Sequence, residues 1–164
     1  MKIKSLVYSA LIALGVMFFS SCDDVDDEDI VESNLQVKFI NEASSVVTIV
    51  SIELLPMGKA GKKNDPLTEN WSANILPAGT KIAPGAHAMF NLKIPNLEWS
   101  KYRLGVEDSN GNTIRLHEQA VPVTDELPIT HWGSDDRTVS VLVSFNSQTQ
   151  CYYIQGWIDF AGIE

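Results

Sequence analysis

Val139-Ser140-Val141-Leu142-Val143-Ser144-Phe145 is the stretch whose reading decides the fold. Val139, Val141, Val143 and Phe145 alternate with Ser140 and Ser144. That period of two puts successive side chains on opposite faces of an extended strand. The same period recurs upstream. Leu35, Val37 and Phe39 alternate with Gln36 and Lys38, and Val46 to Leu55 is rich in β-branched residues, with Val50, Ile52 and Leu54 opposite Ser51 and Glu53. Ala88, Phe90, Leu92 and Ile94 alternate with Met89, Asn91 and Lys93. Tyr102, Leu104 and Val106 alternate with Arg103 and Glu107; Asp108-Ser109-Asn110-Gly111-Asn112 then reads as a hairpin turn, and Ile114 and Leu116 return against Arg115 and His117. Downstream, Cys151 to Phe160 is a last, mostly apolar strand.

Between these segments the chain is punctuated for turning. Asn41 to Ser45 is short and polar, and Pro77-Ala78-Gly79, Pro84-Gly85 and Gly133-Ser134-Asp135-Asp136 are turn sequences. Pro56 to Glu69 reads as a long loop, Trp71 to Leu76 as a short strand or an irregular crossing, and Gln119 to Thr130 as a proline-punctuated connection. No window from residue 35 onward has the 3.6-residue period of an amphipathic helix. About eight short strands spaced roughly 8–12 residues apart argue an all-β, immunoglobulin-like or transthyretin-like β-sandwich. A small barrel fits the same pattern.

The first 32 residues are of another kind. Lys2 and Lys4 precede an apolar core from Leu6 to Phe19, which is shorter than the roughly 20 residues needed to cross a bilayer as a helix. Phe19-Ser20-Ser21-Cys22 follows, and this stretch resembles the processing box of bacterial lipoproteins. The resemblance implies removal of residues 1–21 and acylation of Cys22, with two or three chains giving the stable hold that one cannot. The acidic run Asp23-Asp24-Val25-Asp26-Asp27-Glu28-Asp29 resembles the surface-export signal of Bacteroidetes lipoproteins. It implies an outer-membrane lipoprotein displayed at the cell surface, with Asp23, Asp24, Asp26, Asp27, Glu28 and Asp29 as the signal. The expected organisation is a signal peptide over 1–21, a lipidated cysteine and acidic tether over 22–34, and one domain over 35–164.

Charge agrees with a tether rather than with an acidic domain. The 164 residues carry a formal charge of −9, and seven of the 21 acids lie between Asp23 and Glu32. From Ser33 onward 14 acids face 10 bases, a balance of −4. There is no basic stripe, and the net sign is wrong for neutralising phosphates, so nucleic acid is not an expected partner. With Cys22 lipidated, Cys151 is left without an intramolecular partner, and its neighbours Tyr152, Tyr153 and Ile154 argue a buried, inert thiol.

The usual catalytic patterns are missing. Gly58-Lys59-Ala60-Gly61-Lys62-Lys63 lacks the spacing of a phosphate loop and the Ser or Thr that follows its lysine. Asp125-Glu126 and Asp135-Asp136 are adjacent acids in loops, where they face water. Asp108 to Asn112 begins like a calcium loop, yet glycine falls in its fourth place and no bidentate Glu closes it. His87, His117 and His131 have no metal-ligand spacing, and no Gly-x-Ser-x-Gly elbow occurs. The chain is therefore read as a non-enzyme with no cofactor and no metal.

Tryptophans are what remains for recognition. Trp157 lies in an apolar strand and is expected in the core, while Trp71 is expected to plug one end of the sandwich. Trp99 and Trp132 lie beside turns and are the candidate ligand-binding residues, since exposed indoles stack on sugar rings.

In order along the chain stand Ile40-Asn41, Thr48-Ile49, Trp71-Ser72-Ala73-Asn74-Ile75-Leu76, Ile82-Ala83-Pro84-Gly85, Tyr102-Arg103-Leu104 and Asp108 to Gly111. This succession resembles a bacterial β-sandwich module of unknown function. That resemblance implies the fold and export, and no activity. The whole reads as a lipid-anchored cell-envelope protein with a non-catalytic binding or structural domain. Its expected partners are the membrane through covalent lipid and either a glycan or another envelope protein of an assembly.

Overall fold

The computed structural model describes residues 34–58, 67–68, 70–94, 97, 99–119, 126–130 and 136–163. Among these described residues eight strands form: β1 (Asn34–Asn41), β2 (Thr48–Met57), β3 (His87–Lys93), β4 (Trp99–Glu107), β5 (Thr113–Arg115), β6 (Glu126–Thr130), β7 (Arg137–Asn146) and β8 (Cys151–Ala161). They make two four-stranded sheets. Sheet A has the order β3-β1-β7-β8; in sheet B, β2 lies on one side of β4 while β5 and β6 both pair with its other side. Every ladder is antiparallel except β1 with β7. The fold is all-β and β-sandwich-like.

The alternation read from the sequence is the alternation of burial except at two places: the β-bulge between Ile49 and Ser51 turns Ile49 inward in place of Val50, and Phe145, at the end of its strand, is 41% exposed. Val37 and Phe39 of β1, Phe90 and Leu92 of β3, and Val139, Val141 and Val143 of β7 point inward from sheet A and are buried. Ile52 and Leu54 of β2, Tyr102, Leu104 and Val106 of β4, and Leu127 and Ile129 of β6 meet them from sheet B. Each such side chain contributes about 1.5–3 kcal/mol by leaving water. Tyr102 lies at the centre, its ring edge-on to Phe39 with centroids 5.9 Å apart and tilted against Phe90 at 6.4 Å. Burial pushes the ionisation of its hydroxyl well above the usual range, against the smaller opposing effect of a hydrogen bond with Ser100.

Asn41 ties the two sheets together where β1 ends. Its side chain is fully buried, and Nδ2 donates to the carbonyls of Val47 and Ile82, both at 2.9 Å. The turn Pro84-Gly85 returns to the same place: Gly85 donates to the Asn41 carbonyl from φ +79°, a conformation that favours glycine. Gly105 of β4 has another reason to be glycine. A Cβ there would sit 2.2 Å from the Ser51 hydroxyl, beside the β-bulge between Ile49 and Ser51.

Of the two alternatives for Trp71 to Leu76, the structure has the irregular crossing, which runs beside β2. Two readings from the sequence need correction. Leu116 is buried in a 3-10 turn, Leu116–Glu118, rather than at the end of β5. The proline-punctuated connection contains β6, with Pro128 in it. Proline has no N–H to give, and β6 lies at an edge of sheet B, where none is required.

Candidate binding face

The two sheets treat their edges differently. β2 is an edge strand, and its outward backbone groups are consumed one by one. Ile52 N–H donates to Asn74 Oδ1 at 3.0 Å and its carbonyl accepts from Ile75; Leu54 N–H donates to the Ser72 hydroxyl at 2.9 Å and its carbonyl accepts from Ser72 N–H. Asn74 Nδ2 reaches the Val50 carbonyl, and Leu67 N–H reaches that of Pro56. Thus Ser72 and Asn74 stand in for a fifth strand. β8, the other long edge strand, has 11 residues. Among the described residues, only Gln119 meets its outer edge, accepting from Tyr152 N–H at 2.7 Å.

The direction of the remaining groups follows from β7. The Val141 carbonyl accepts from Glu42, and Val143 N–H donates to the Ser45 hydroxyl, so these residues face β1. Ser140 and Leu142 therefore exchange hydrogen bonds with their partners Ile158 and Gly156. The backbone groups of Trp157, Asp159 and Ala161 then point away from the sheet.

The outer face of sheet A next to this edge is mixed, with hydroxyls on β7, apolar and aromatic side chains on β8 and the Glu42 carboxylate beside Ser140. Its β7 and β8 positions are Thr138, Ser140, Leu142 and Ser144 against Phe160, Ile158, Gly156 and Tyr153. Ile158 is 60% exposed, the largest value among the exposed large hydrophobics, and Met89 on β3 of the same face is 45% exposed. Where Gly156 replaces a side chain, an open depression of about 330 Å³ lies between Glu42, Ser44, Ser140, Leu142 and Ile158. A Cβ on Gly156 would meet nothing within 4 Å. The nearby hydroxyls are satisfied: Ser140 donates to the Glu42 carboxylate, and Thr138 donates to the Gly162 carbonyl at 2.9 Å.

Sheet B turns a charged face outward. Glu126 takes Arg103 at 2.7 Å and Lys101 at 3.1 Å, Arg115 stands 3.9 Å from Glu53, and Lys81 pairs with Glu107 at 2.7 Å. Desolvation raises the pKa of the Glu126 carboxyl, but the hydrogen bonds and charges of Arg103 and Lys101 outweigh it and hold the group below its usual range. The Arg103 guanidinium also lies 3.9 Å over the Trp71 ring.

Of the candidate site residues read from the sequence, Trp99 alone lies among the described residues. Cys22, the acids Asp23, Asp24, Asp26, Asp27, Glu28 and Asp29, and Trp132 lie outside the described residues. Trp99 opens β4, half-buried and paired with Met57 and Thr130 in the ladders. Trp71 lies with Arg103 on the outer face of sheet B rather than plugging an end. Trp157 packs against the core, as expected, but only half-buried. Cys151 is half-buried rather than buried, with its thiol 3.3 Å from the Thr149 carbonyl.

The acids that are described have local duties. Asp108 accepts from Asn110 and Asn112, which keep its carboxyl below the usual range, Asn112 first. Asp136 accepts from Gln36 N–H. No group of three or more His, Cys, Asp or Glu that could hold a metal occurs among the described residues. The residues missed from the sequence are Ile158, Phe160 and Gly156. Their signal was the run from Cys151 to Phe160, apolar at both parities, which marks a strand with two apolar faces. Comparison with protein-family models, curated proteins and solved structures finds no match.

Proposed function

We propose that this chain is a lipid-anchored outer-membrane protein, displayed at the cell surface, whose immunoglobulin-like or transthyretin-like sandwich binds or builds rather than catalyses. Within that class the reading favoured is a subunit of an envelope assembly. One observation carries it: sheet A ends in an 11-residue edge strand that only Gln119 meets among the described residues, beside an outward face on which Ile158 is 60% exposed. Leaving such a side chain in water forgoes about 1.5–3 kcal/mol, and an exposed apolar patch beside a free edge is the usual mark of a protein contact. The sequence features Cys22 and Asp23 to Asp29 supply the anchor and the address in this reading.

The test joins both halves. Cells producing the full chain are fed a radiolabelled fatty acid and then treated with an amine-to-amine crosslinker. The wild type is expected to carry label and to enter a larger crosslinked species. Cys22→Ala should lose the label, and Ile158→Lys should keep the label but lose the larger species. Label independent of Cys22 would refute the anchor. A larger species that survives Ile158→Lys would refute the role of this face.

A further inference from the structure

We propose that the partner of the β8 edge is a second copy of this chain, paired antiparallel through β8 about a two-fold axis at Ile158. This rests on reading the border of sheet A as a contact surface and goes on to name what it contacts.

The register follows from the chemistry of the strand. The backbone groups free to pair are those of Trp157, Asp159 and Ala161, so an antiparallel partner must match odd positions with odd ones. Centring the axis on Asp159 would set two carboxylates directly opposite each other, which is unfavourable. Centring it on Ile158 sets Trp157 opposite Asp159 of the other copy, where both exchange hydrogen bonds. Asp159 is the only charged residue in β8, and Arg137 already holds it at 2.7 Å. The strand can therefore meet itself without like-charge repulsion.

Side chains on the outer face agree with this register. The most exposed apolar residue, Ile158 at 60%, lies on the axis and packs on its own counterpart. Gly156 falls opposite Phe160 of the second copy, so an aromatic ring covers each glycine gap, a pairing that suits edge glycines. The open depression beside Gly156 is where that ring would lie. A centre on Trp157 instead would carry the ladder across the bulge where β8 slips against Leu142 and Val143, whereas the segment from Gly156 to Phe160 lies wholly beyond it. The other edges are less suited. β2 is stitched by Ser72 and Asn74, β5 has three residues, β6 carries Pro128, and β3, the far edge of sheet A, has seven residues and sets His87 and Lys93 on its exposed face. The product would be a continuous eight-stranded sheet with an isologous interface.

Ile158→Cys tests the axis directly. A pair that faces itself without hydrogen bonds has Cα atoms about 4.5 Å apart, inside the range a disulfide can bridge. The experiment uses the full chain in detergent, with Cys22→Ala and Cys151→Ser as the background, under mild oxidation. Ile158→Cys should give a disulfide-linked dimer within minutes, while Gln148→Cys, in the exposed β7–β8 turn, should stay monomeric. In parallel, sedimentation equilibrium of the wild type should give twice the chain mass. Ile158→Lys should give the chain mass, with a thermal midpoint that does not vary with concentration and matches that of the wild type diluted until it too is monomeric. A cysteine at 158 that stays monomeric would overturn the proposal. One that crosslinks to a different protein would overturn self-pairing while leaving the contact surface itself intact. A wild type of monomer mass that also finds no other partner would remove both.

Discussion

β2 and β8 are the two long edge strands of one molecule, of 10 and 11 residues, and they end their sheets in opposite ways. On β2 the outward N–H and carbonyl groups from Val50 to Pro56 are taken by Ser72, Asn74, Ile75 and Leu67, and the face beside them is laced with ion pairs. On β8 one side-chain oxygen, from Gln119, meets the edge among the described residues, and the strand's own outward side chains, Tyr153, Ile158 and Phe160, carry no charge. An open strand edge is a standing invitation to pair, and proteins ordinarily blunt it with charge, proline or a covering loop. The chain does so on sheet B. That it leaves β8 open, with its one charge turned to Arg137, is why we assign contact to this end of the molecule.

The largest expected effect falls on the residue that joins the two sheets. Asn41→Ala would strand the buried carbonyl of Val47 and take one of two donors from that of Ile82, which keeps Ile49 N–H, and should cost about 2–3 kcal/mol, read by chemical denaturation. Equal stability would mean that the link between the sheets does not depend on this side chain. Next comes the stitched edge. Asn74→Ala removes the acceptor for the N–H groups of Ile52 and Leu76, half-buried contacts worth together about 1–2 kcal/mol, and should make the variant aggregate faster on heating. An unchanged aggregation rate would blur the contrast between the edges.

A smaller effect separates the two faces by pH. Because its partners hold Glu126 below the usual carboxylate range in the folded state, its stabilisation is present above the unfolded value, about pH 4.3, and fades as pH falls through the lower folded value. The thermal midpoint of the wild type should therefore exceed that of Glu126→Gln near neutrality, and the gap should close in acid. A gap that widens in acid would contradict the ion-pair account. The smallest effect on stability is expected on the open face: at concentrations low enough for the wild type to be monomeric, Ile158→Lys should stay within about 0.5 kcal/mol of it, because this side chain is mostly exposed in the single chain.

How much of this was legible in the sequence follows from the same contrast. Strands such as Val139 to Phe145 and Tyr102 to Val106 have one inward and one outward face, so their period of two could be read directly. β6 was missed because Pro128 argues against a strand unless it is known to lie at an edge, and edges are a tertiary fact. The task of Trp71 to Leu76 was hidden for the opposite reason. Ser72 and Asn74 imitate strand pairing with side chains, which leaves no period to detect. Indoles such as Trp99 signal recognition in a sequence, whereas an exposed Ile158 beside Gly156 carries no such signal until the sheet order is known. Near-continuous apolar residues in β8 were visible, but they mark a buried strand as readily as one awaiting a partner.

Amide hydrogen exchange of the full chain at two concentrations tests the difference between the edges most directly. The outward amides Trp157, Asp159 and Ala161 should exchange slowly when the protein is concentrated and quickly on dilution, while Ile52 and Leu54 should stay protected at both. Exchange at Trp157 and Asp159 that is equally fast at every concentration would show an edge that nothing occupies, and would contradict the account.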